Sequence, residues 1–335
     1  VVVNSVNANT CNADGVEKAM QMCKIAARQC AVLPSNVIVA STGVIGMPLD
    51  VTPIEKSIGQ LYWDLEHSVA GSRNAAEAIM TTDTTIKEVA VEFELGGKVC
   101  RMGGIAKGSG MIHPNLATML IFITSDVAIS SEMLQKALKA DVNKTFNMIS
   151  VDGDTSTNDT VAIISNGLAG NKLINSEGEE YDVFCKALYM ITSKLCKMLA
   201  ADGEGATKLL ECIVTGGKDV QTAQTVAKSV ICSSLLKAAM FGADANWGRV
   251  LCAIGYSGAD VDINKIDVAF KSAKGELPVC KNGAGIPFSE EKAKEILLEN
   301  EIDILINLND GASCATAWGC DLTYDYVKIN GDYRT

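Results

Sequence analysis

Short β-branched runs alternate with amphipathic helical stretches along most of this chain, and this alternation most constrains its fold. VVV at residues 1–3 and NVIVAST at 36–42 are typical of strands, because β-branched residues dominate them and polar or glycine residues follow. Between them, residues 15–30 place apolar side chains on one helical stripe. The start of the chain therefore predicts a strand–helix–strand unit.

The next hundred residues combine a helix, a hairpin and a buried strand. Pro53 suits the first turn of a helix, which we expect to continue through residues 54–69. Residues 87–106 predict a β-hairpin that turns at Gly96–Gly97. After a glycine-rich loop, residues 118–129 predict a strand that is buried on both faces.

The rest of the chain carries longer helices separated by strands. We expect helices at 131–149, with Ser131 as N-cap, at 179–203 and 220–242, and a shorter one at 289–300. Strand-like runs at 160–166 and 207–216 separate them, and no linker or repeat interrupts the pattern. The chain therefore predicts a layered α/β (α+β) fold, with helices packed on β-sheets.

Composition narrows the class of partner. The 335 residues include 48% apolar and 21% charged residues, a normal globular mixture. The net charge is −11 and Lys and Arg form no block, which disfavours nucleic acid and anionic membranes as partners. No apolar run reaches the roughly 18 residues of a membrane helix, so we expect a cytoplasmic protein. We also expect upstream residues in the natural protein, because the chain starts at Val1 within a strand.

Cysteine and histidine spacing argues against disulfides and metal. The twelve cysteines form no CxxC pair, and several, such as Cys196 and Cys212, fall within apolar patterns. That placement predicts reduced thiols that serve as small apolar side chains. Since His67 and His113 lie in no zinc-ligand spacing, we expect no metal site.

Several segments carry polar residues that suit a ligand site. STGVIG at 41–46 follows a strand, and its free backbone N–H groups would suit an anion or an oxyanion, although a plain turn has the same sequence. Lys107 could hold a carboxylate, His113 could act as a base, and Glu204 could hold an amine. Each of the three also fits an ordinary loop residue. No dinucleotide or P-loop motif occurs.

Thr118 stands between that glycine-rich loop and the apolar run TMLIFI. A threonine hydroxyl is a weak nucleophile until a base removes its proton, and its own α-amine can be that base once the preceding peptide bond is cut. The free α-amine has a pKa near ~8 and is partly neutral at working pH. The small residue Ala117 fits such a cut, but β-branched residues also begin many strands for packing alone.

Five segments in order resemble one family. KGSGMIHPNLATML is similar to the self-cleavage motif of the ornithine acetyltransferases, the glutamate N-acetyltransferases of arginine biosynthesis. VVVNSVNANTCNADG, ASTGVIG, IMTTDT and ATAWGCDLTYDYVKINGDYRT also resemble family segments, so the likeness runs nearly from Val1 to Thr335. It implies a self-processing, N-terminal-nucleophile-like fold and acetyl transfer from N2-acetylornithine to glutamate through an acetyl-threonine enzyme.

The resemblance also implies roles for individual residues. Cleavage between Ala117 and Thr118 would leave an α subunit, 1–117, and a β subunit, 118–335, whose first residue is the nucleophile. Thr42 and Gly43 match the oxyanion pair. The positions that match substrate contacts, together with the nucleophile, are Thr81 (with Thr82 as its neighbour), Lys107, Glu204, Asn330 and Thr335.

Three functions remain open from the sequence. The first is the acetyltransferase, needing no cofactor, with acetyl-CoA as an optional second donor and a dimer of αβ heterodimers as its assembly. The second is an amidase or aminopeptidase on the same scaffold, in which water accepts the acyl group. The third is a binding protein without activity, which an intact Thr118 and STG motif disfavour. The first two functions differ in what accepts the acyl group, which is glutamate in the transferase and water in the hydrolase.

Overall fold

The N-terminal strand–helix–strand unit forms as the sequence predicts. In the computed structural model, which describes residues 1–113 and 119–332, β1 (Val2–Asn4) pairs in parallel with β2 (Val39–Ser41). The connecting helix α1 (Gly15–Cys30) has the predicted bounds, and it ends where Ala31 adopts a left-handed conformation with φ of 54°. Residues Met22, Ile25 and Ala26 bury one face of this helix.

The predicted helix after Pro53 is two helices. α2 (Thr52–Trp63) begins beside the proline, but α3 (Val69–Ala78) is a separate element. The reason is a new N-cap, because the Ser68 hydroxyl accepts a hydrogen bond from the Gly71 N–H and so starts a second helix. The single helix that we expected over 54–69 is therefore wrong at its C-terminal end.

A four-stranded sheet carries the predicted hairpin. β3 (Lys87–Leu95) and β4 (Lys98–Lys107) are antiparallel, and both glycines of the Gly96–Gly97 turn have positive φ. β5 (Leu120–Ser125) pairs antiparallel with β4 and, on its other side, parallel with a strand at 160–165. β5 is buried along most of its length, with an exposed residue only near its end, as the apolar run predicts.

A seven-stranded sheet forms the second layer. Its order is β11-β10-β9-β12-β8-β13-β6, with β8 in parallel register with β12 and antiparallel to β13. The remaining strands are β6 (Ile149–Ser150), β7 (Thr160–Ser165, in the smaller sheet), β8 (Leu209–Gly217), β9 (Asp267–Ser272), β10 (Gly275–Lys281), β11 (Ala284–Gly285), β12 (Glu301–Asn307) and β13 (Ser313–Cys320).

Helices pack on both sheets. They are α4 (Ser131–Val142), α5 (Glu179–Ala201), α6 (Val220–Cys232), α7 (Ser234–Phe241), α8 (Trp247–Gly255), α9 (Glu290–Leu297) and α10 (Tyr324–Asp332). α5 contacts β3 and β4 of the small sheet and β8 and β13 of the large one, so its buried side chains join the two layers. α6 packs on the large sheet. This arrangement confirms the layered α/β prediction.

Two helix predictions need correction. The N-cap of α4 is Ser130 rather than Ser131, since the Ser130 hydroxyl accepts the Met133 N–H. The predicted helix over 220–242 breaks at Ser233, whose extended backbone and hydroxyl cap start α7. α4 also ends at Val142 rather than at residue 149, because Phe146–Met148 form a separate 3-10 helix and Ile149 begins β6. A serine that caps a new helix inside a predicted run, as Ser233 does, is not revealed by apolar periodicity.

The cysteines are reduced, as their spacing in the sequence predicts. All twelve cysteines are unpaired thiols, and Cys23, Cys100, Cys196, Cys212, Cys280 and Cys320 are buried. Within residues 1–113 and 119–332, no helix combines the length and apolar character that a bilayer crossing needs.

Candidate active site

One cavity of 260 Å³ collects residues from distant parts of the chain. Six of the residues that the sequence singled out line it: Thr42, Gly43, Thr81, Lys107, Glu204 and Asn330. They come from the end of β2, the connection before β3, the end of β4, the turn after α5, and α10. Ala117, Thr118 and Thr335 lie outside the described residues.

The STG turn forms one wall of the cavity. Thr42 is buried and donates its N–H to the Asn4 carbonyl at 2.9 Å. Gly43 has φ of 124°, and a Cβ there would lie 2.2 Å from the Val6 carbonyl oxygen, so only glycine fits. Among the described residues, the Gly43 N–H has no hydrogen-bond acceptor. A fixed and unpaired N–H at a cavity wall is the kind of donor that stabilises an oxyanion.

Asn158 supports this wall and was missed by the sequence analysis. Its Nδ2 donates to the carbonyl oxygens of Ala8 and Ser41, the latter at 2.9 Å, and the side chain also lines the cavity. It therefore ties the STG turn to the segment that precedes β7. Nothing in the local pattern around TSTND distinguishes this asparagine from a loop residue, so contact alone reveals it.

Lys107 is buried, although a lone loop lysine is usually solvated. Lys107 is the last residue of β4, and only 3% of its surface is exposed. Its Nζ donates to Thr81 Oγ1 at 2.7 Å and lies 3.9 Å from Asp83 Oδ2. Burial lowers the pKa of Lys107, while Asp83 acts in the opposite direction. Both Thr81 and Thr82 line the cavity, but it is the Thr81 hydroxyl that contacts Lys107.

A second lysine lies behind this wall, completely buried. Lys87 Nζ donates to Asp83 Oδ1 at 2.6 Å and to Asp202 Oδ2 at 2.5 Å. Asp83 thus lies between Lys87 and Lys107. Burial alone would raise the pKa of Asp83, but the two lysines and the Gly108 N–H outweigh it and hold that pKa below its usual value.

A second charged group in the cavity lining is a carboxylate. Glu204 is buried, and Asn330 on α10 donates to its Oε2 at 2.8 Å. Gly110 lets the loop approach this carboxylate, because a Cβ there would lie 2.4 Å from the carboxyl carbon of Glu204. The Glu204 N–H donates to the Ser109 carbonyl at 2.9 Å, which joins the turn after α5 to the loop after β4. Cation and carboxylate therefore face one cavity.

Asp152 and Tyr326 are two further wall residues that the sequence analysis missed. Asp152 accepts the backbone N–H groups of Met111 and Ile112 at 2.6 and 3.0 Å, and the Tyr326 hydroxyl lies 3.3 Å from it. Burial first, and then Asp152, raises the pKa of Tyr326 well above its usual value. The carboxylate thus holds the backbone just before the segment that contains residue 118.

His113 does not line the cavity. Its Nδ1 lies 3.1 Å from Ser150 Oγ and 3.4 Å from Cys232 Sγ. Burial is the main cause that lowers the pKa of this imidazole. The role of base at this cavity that the sequence left open for His113 therefore lacks support in the geometry.

Asp159 is a buried carboxylate beside the strand that begins after residue 118. Neither of its oxygens has a hydrogen-bond partner of good geometry among the described residues. Burial raises its pKa to about 8, against smaller opposing effects of the Met119 N–H and Lys107. The Thr160 N–H donates to the Met119 carbonyl at 2.8 Å, so Asp159 flanks the first ladder contact between β5 and β7.

The cavity defines a class of protein. Its lining offers the Lys107 amine, the Glu204 carboxylate and a Gly43 N–H that is unpaired among the described residues, and these groups together suit a small charged molecule. In the described ranges, no group of three or more His, Cys, Asp or Glu side chains could hold a metal ion. Fold and cavity are those of a mixed α/β protein with a polar site for a small charged molecule.

Comparison with known proteins then gives the family. The model of the ArgJ family matches residues 1–335, and the chain belongs to this family. The arginine biosynthesis bifunctional protein ArgJ of Caldanaerobacter subterraneus is 51% identical over 336 residues, which cover 100% of this chain and 83% of the relative. The glutamate N-acetyltransferase of Methanocaldococcus jannaschii is 47% identical over 345 residues, covering 100% of this chain and 84% of the relative.

A solved structure confirms the fold. The crystal structure of arginine biosynthesis bifunctional protein argJ from Bacillus halodurans has a TM-score of 0.60 and 47% sequence identity, and the match covers 63% of this chain and 98% of that chain. The resemblance that the five sequence motifs indicated is therefore confirmed at the level of family and fold.

Proposed function

We propose that this chain is an acyltransferase of arginine biosynthesis that moves an acetyl group from N2-acetylornithine to glutamate, giving ornithine and N-acetylglutamate. Membership in the ArgJ family, and relatives named for arginine biosynthesis and glutamate N-acetyltransfer, support this reaction. The observation that carries it at the level of residues is the single cavity lined by Thr42, Gly43, Lys107 and Glu204. These four supply oxyanion donors and charged partners for the substrates, and Thr118 would supply the nucleophile.

The first half-reaction would load the enzyme. The α-amine of Thr118, freed by cleavage after Ala117, removes the proton of the Thr118 hydroxyl as its oxygen attacks the acetyl carbonyl. The resulting oxyanion accepts hydrogen bonds from the Thr42 hydroxyl and the Gly43 N–H. In such sites these bonds stabilise the oxyanion by several kcal/mol. The C–N bond then breaks, the proton passes to the departing amine, and ornithine leaves an acetyl ester on Thr118.

The second half-reaction would use the same groups in reverse. The neutral amine of glutamate attacks the ester carbonyl, and the oxyanion forms again at Thr42 and Gly43. The attacking nitrogen passes a proton to the neutral α-amine of Thr118, and the ammonium so formed protonates the threonine oxygen as the C–O bond breaks. The products are N-acetylglutamate and free enzyme, so this ping-pong route needs one site for both substrates.

The charged walls suit the substrates. Both substrates carry an α-carboxylate, for which Lys107 is the buried partner, with Thr81 fixing its Nζ. Ornithine also carries a side-chain ammonium, for which Glu204 is the partner, with Asn330 orienting that carboxylate. We include the terminal carboxylate of Thr335 among the groups that close the site, as family resemblance implies.

Cleavage would leave two fragments, 1–117 and 118–335, that remain associated. Strand β4 of the first pairs with β5 of the second from Met102↔Ser125 to Lys107↔Leu120. Lys87 of the first and Asp202 of the second form a buried ion pair. These contacts support a stable αβ unit, and we propose a dimer of such units in the cytoplasm. We further propose that the reaction uses no cofactor and that acetyl-CoA serves as a second donor.

The mechanism is tested by asking whether the chain is cleaved between Ala117 and Thr118. A denaturing gel and N-terminal sequencing should show a fragment that begins TMLIF and has 335 − 117 = 218 residues. Thr118→Ala should abolish both cleavage and turnover, whereas Thr118→Ser, which keeps a hydroxyl, should retain some of each. A single uncut chain in active protein, or acetyl transfer by Thr118→Ala, contradicts the nucleophile assignment.

A second measurement separates transfer from hydrolysis. Purified protein is given N2-acetylornithine with and without glutamate, and ornithine and N-acetylglutamate are quantified; a parallel arm replaces the donor with acetyl-CoA. Ornithine release that depends on glutamate supports transfer. Equal release without glutamate favours the amidase alternative, and N-acetylglutamate formed only from N2-acetylornithine rejects acetyl-CoA as a donor.

A further inference from the structure

We infer that Lys87 is a positioning residue for anion binding: it neutralises Asp83 and thereby leaves the charge of Lys107 available to a substrate carboxylate. The inference deepens the proposed function and rests on the assignment of Lys107 to the carboxylate. Lys87 lies outside the cavity lining, completely buried, and none of the five sequence motifs includes it. Its effect on the site is therefore exerted through Asp83.

The geometry gives Asp83 two competing cations. Its Oδ1 lies 2.6 Å from Lys87 Nζ, while its Oδ2 lies 3.9 Å from Lys107 Nζ. The side chains of Asp83 and Lys87 are fully buried, and that of Lys107 is 4% exposed, so solvent screens these charges weakly. The close contact belongs to Lys87 and the long one to Lys107, which is free to pair with another anion.

Charge counting shows why this division matters. Lys107, Asp83, Lys87 and Asp202 form a neutral row, in which Asp202 also pairs with Lys87 at 2.5 Å. Without the Lys87 charge, the row has a net charge of −1, and Asp83 has only Lys107 as a cationic partner. A substrate carboxylate would then compete with Asp83 for one cation and meet repulsion from two buried carboxylates.

The two carboxylates keep other hydrogen bonds when Lys87 is removed. Asp83 accepts the N–H groups of Gly108 and Thr81 at 2.7 and 3.1 Å. Asp202 accepts from the Thr84 and Thr85 N–H groups and from the Thr84 hydroxyl. Because these donors satisfy the oxygens, Lys87→Met should change the electrostatics of the site more than its shape.

The experiment is a charge-rescue series. Lys87→Met, Asp83→Asn and the double variant are compared with wild type by KM and kcat for N2-acetylornithine and glutamate, and by calorimetric titration with glutamate. Lys87→Met should raise both KM values about tenfold with kcat within threefold. Adding Asp83→Asn should return KM to within threefold of wild type, because the row is again neutral. Asp83→Asn alone should lower KM at least threefold.

The control is Lys208→Met. Lys208 is also a buried lysine, but its Nζ donates to the carbonyls of Met240 and Leu297, away from the cavity. This variant should lower the melting temperature without changing either KM. Lys87→Arg, which keeps the charge, should keep KM near the wild-type value.

A double variant that binds no better than Lys87→Met overturns the inference, because a merely structural role predicts added damage and no rescue. If Lys87→Met fails to fold, Asp83→Asn decides: an unchanged or raised KM overturns the inference. Failure of the proposed function is distinguishable. If the wild-type protein transfers no acetyl group, the proposed reaction is refuted. If glutamate still binds to wild type and to the variants with the predicted order of affinities, the role of Lys87 in anion binding stands.

Discussion

The two charged walls of the cavity are built differently. Lys107 ends a central strand, and its ionic partner is the buried carboxylate of Asp83 in the connection before β3. Glu204 follows α5 and contacts Asn330 on α10, a helix whose side chains are mostly exposed. The chain thus holds its cation by a buried network and its carboxylate by a surface helix. We expect the first wall to hold what the substrates share and the second to hold what distinguishes them.

The largest effect should follow from Lys107→Met. Loss of the charged partner of an α-carboxylate at a buried site costs about 2–4 kcal/mol, which corresponds to roughly 30- to 1,000-fold in kcat/KM. Because both substrates carry that carboxylate, N2-acetylornithine and glutamate should lose similar factors. Steady-state kinetics with each substrate varied in turn makes the comparison, and a loss confined to one substrate would contradict the shared role.

Glu204→Gln should discriminate between the substrates. The change keeps the shape and the contact with Asn330 but removes the charge that suits the side-chain ammonium of ornithine. A hydrogen bond to a charged group contributes about 1.5–3 kcal/mol, or roughly 10- to 150-fold. We expect this loss in kcat/KM for N2-acetylornithine and a much smaller one for glutamate. Equal losses for both would show that this wall does not select the substrate.

Asp159→Asn tests whether the buried carboxyl of Asp159 makes the stability of the protein depend on pH. The folded pKa of about 8 exceeds the unfolded value of 3.8, so between these pH values the folded protein holds a proton that the unfolded chain has lost. Stability therefore falls as pH rises through this window, by about 1.4 kcal/mol per pH unit. Urea unfolding at pH 6 and pH 8 should show wild type losing up to about 2 kcal/mol relative to Asp159→Asn.

The control for this pH effect is Asp260→Asn. The Lys218 hydrogen bond lowers the pKa of that exposed carboxyl, so its titration lies below the pH range compared. This variant should follow the wild-type pH profile. The assignment fails if Asp159→Asn shows the same loss between pH 6 and pH 8 as wild type.

The smallest effect should come from Asn330→Ala on the surface helix. It removes one hydrogen bond to Glu204 while leaving that carboxylate charged. Asn330 is exposed, so water can replace its N–H on the carboxylate, and the loss should stay near about 0.5–1.5 kcal/mol, or roughly 2- to 10-fold in kcat/KM for N2-acetylornithine. Asn309→Ala, which changes an exposed asparagine far from the cavity, serves as the control and should leave the kinetics unchanged. A loss as large as that of Lys107→Met would mean that the helix wall is as critical as the buried one.

Local elements were predictable because their signals are local. Helix α1 has the predicted bounds, and the hairpin turns at Gly96–Gly97 as expected. Two predicted helices were wrong because Ser68 and Ser233 cap a new helix inside the predicted run, and Ser130 caps α4 one residue before the predicted N-cap. Periodicity averages over a window of 11–18 residues and does not detect a single capping hydrogen bond.

The class of fold, the family and six residues that line one cavity could all be read from the sequence, because alternating periodicities and ordered motifs lie along the chain itself. Tertiary contacts alone show that Lys107 is buried, that Lys87 pairs with Asp83 behind the cavity and that Asn158 lines it. The reason is distance along the chain. Lys107 meets Thr81 across 26 residues, and Lys87 meets Asp202 across 115. The burial of a charge depends on such partners, which no local pattern encodes.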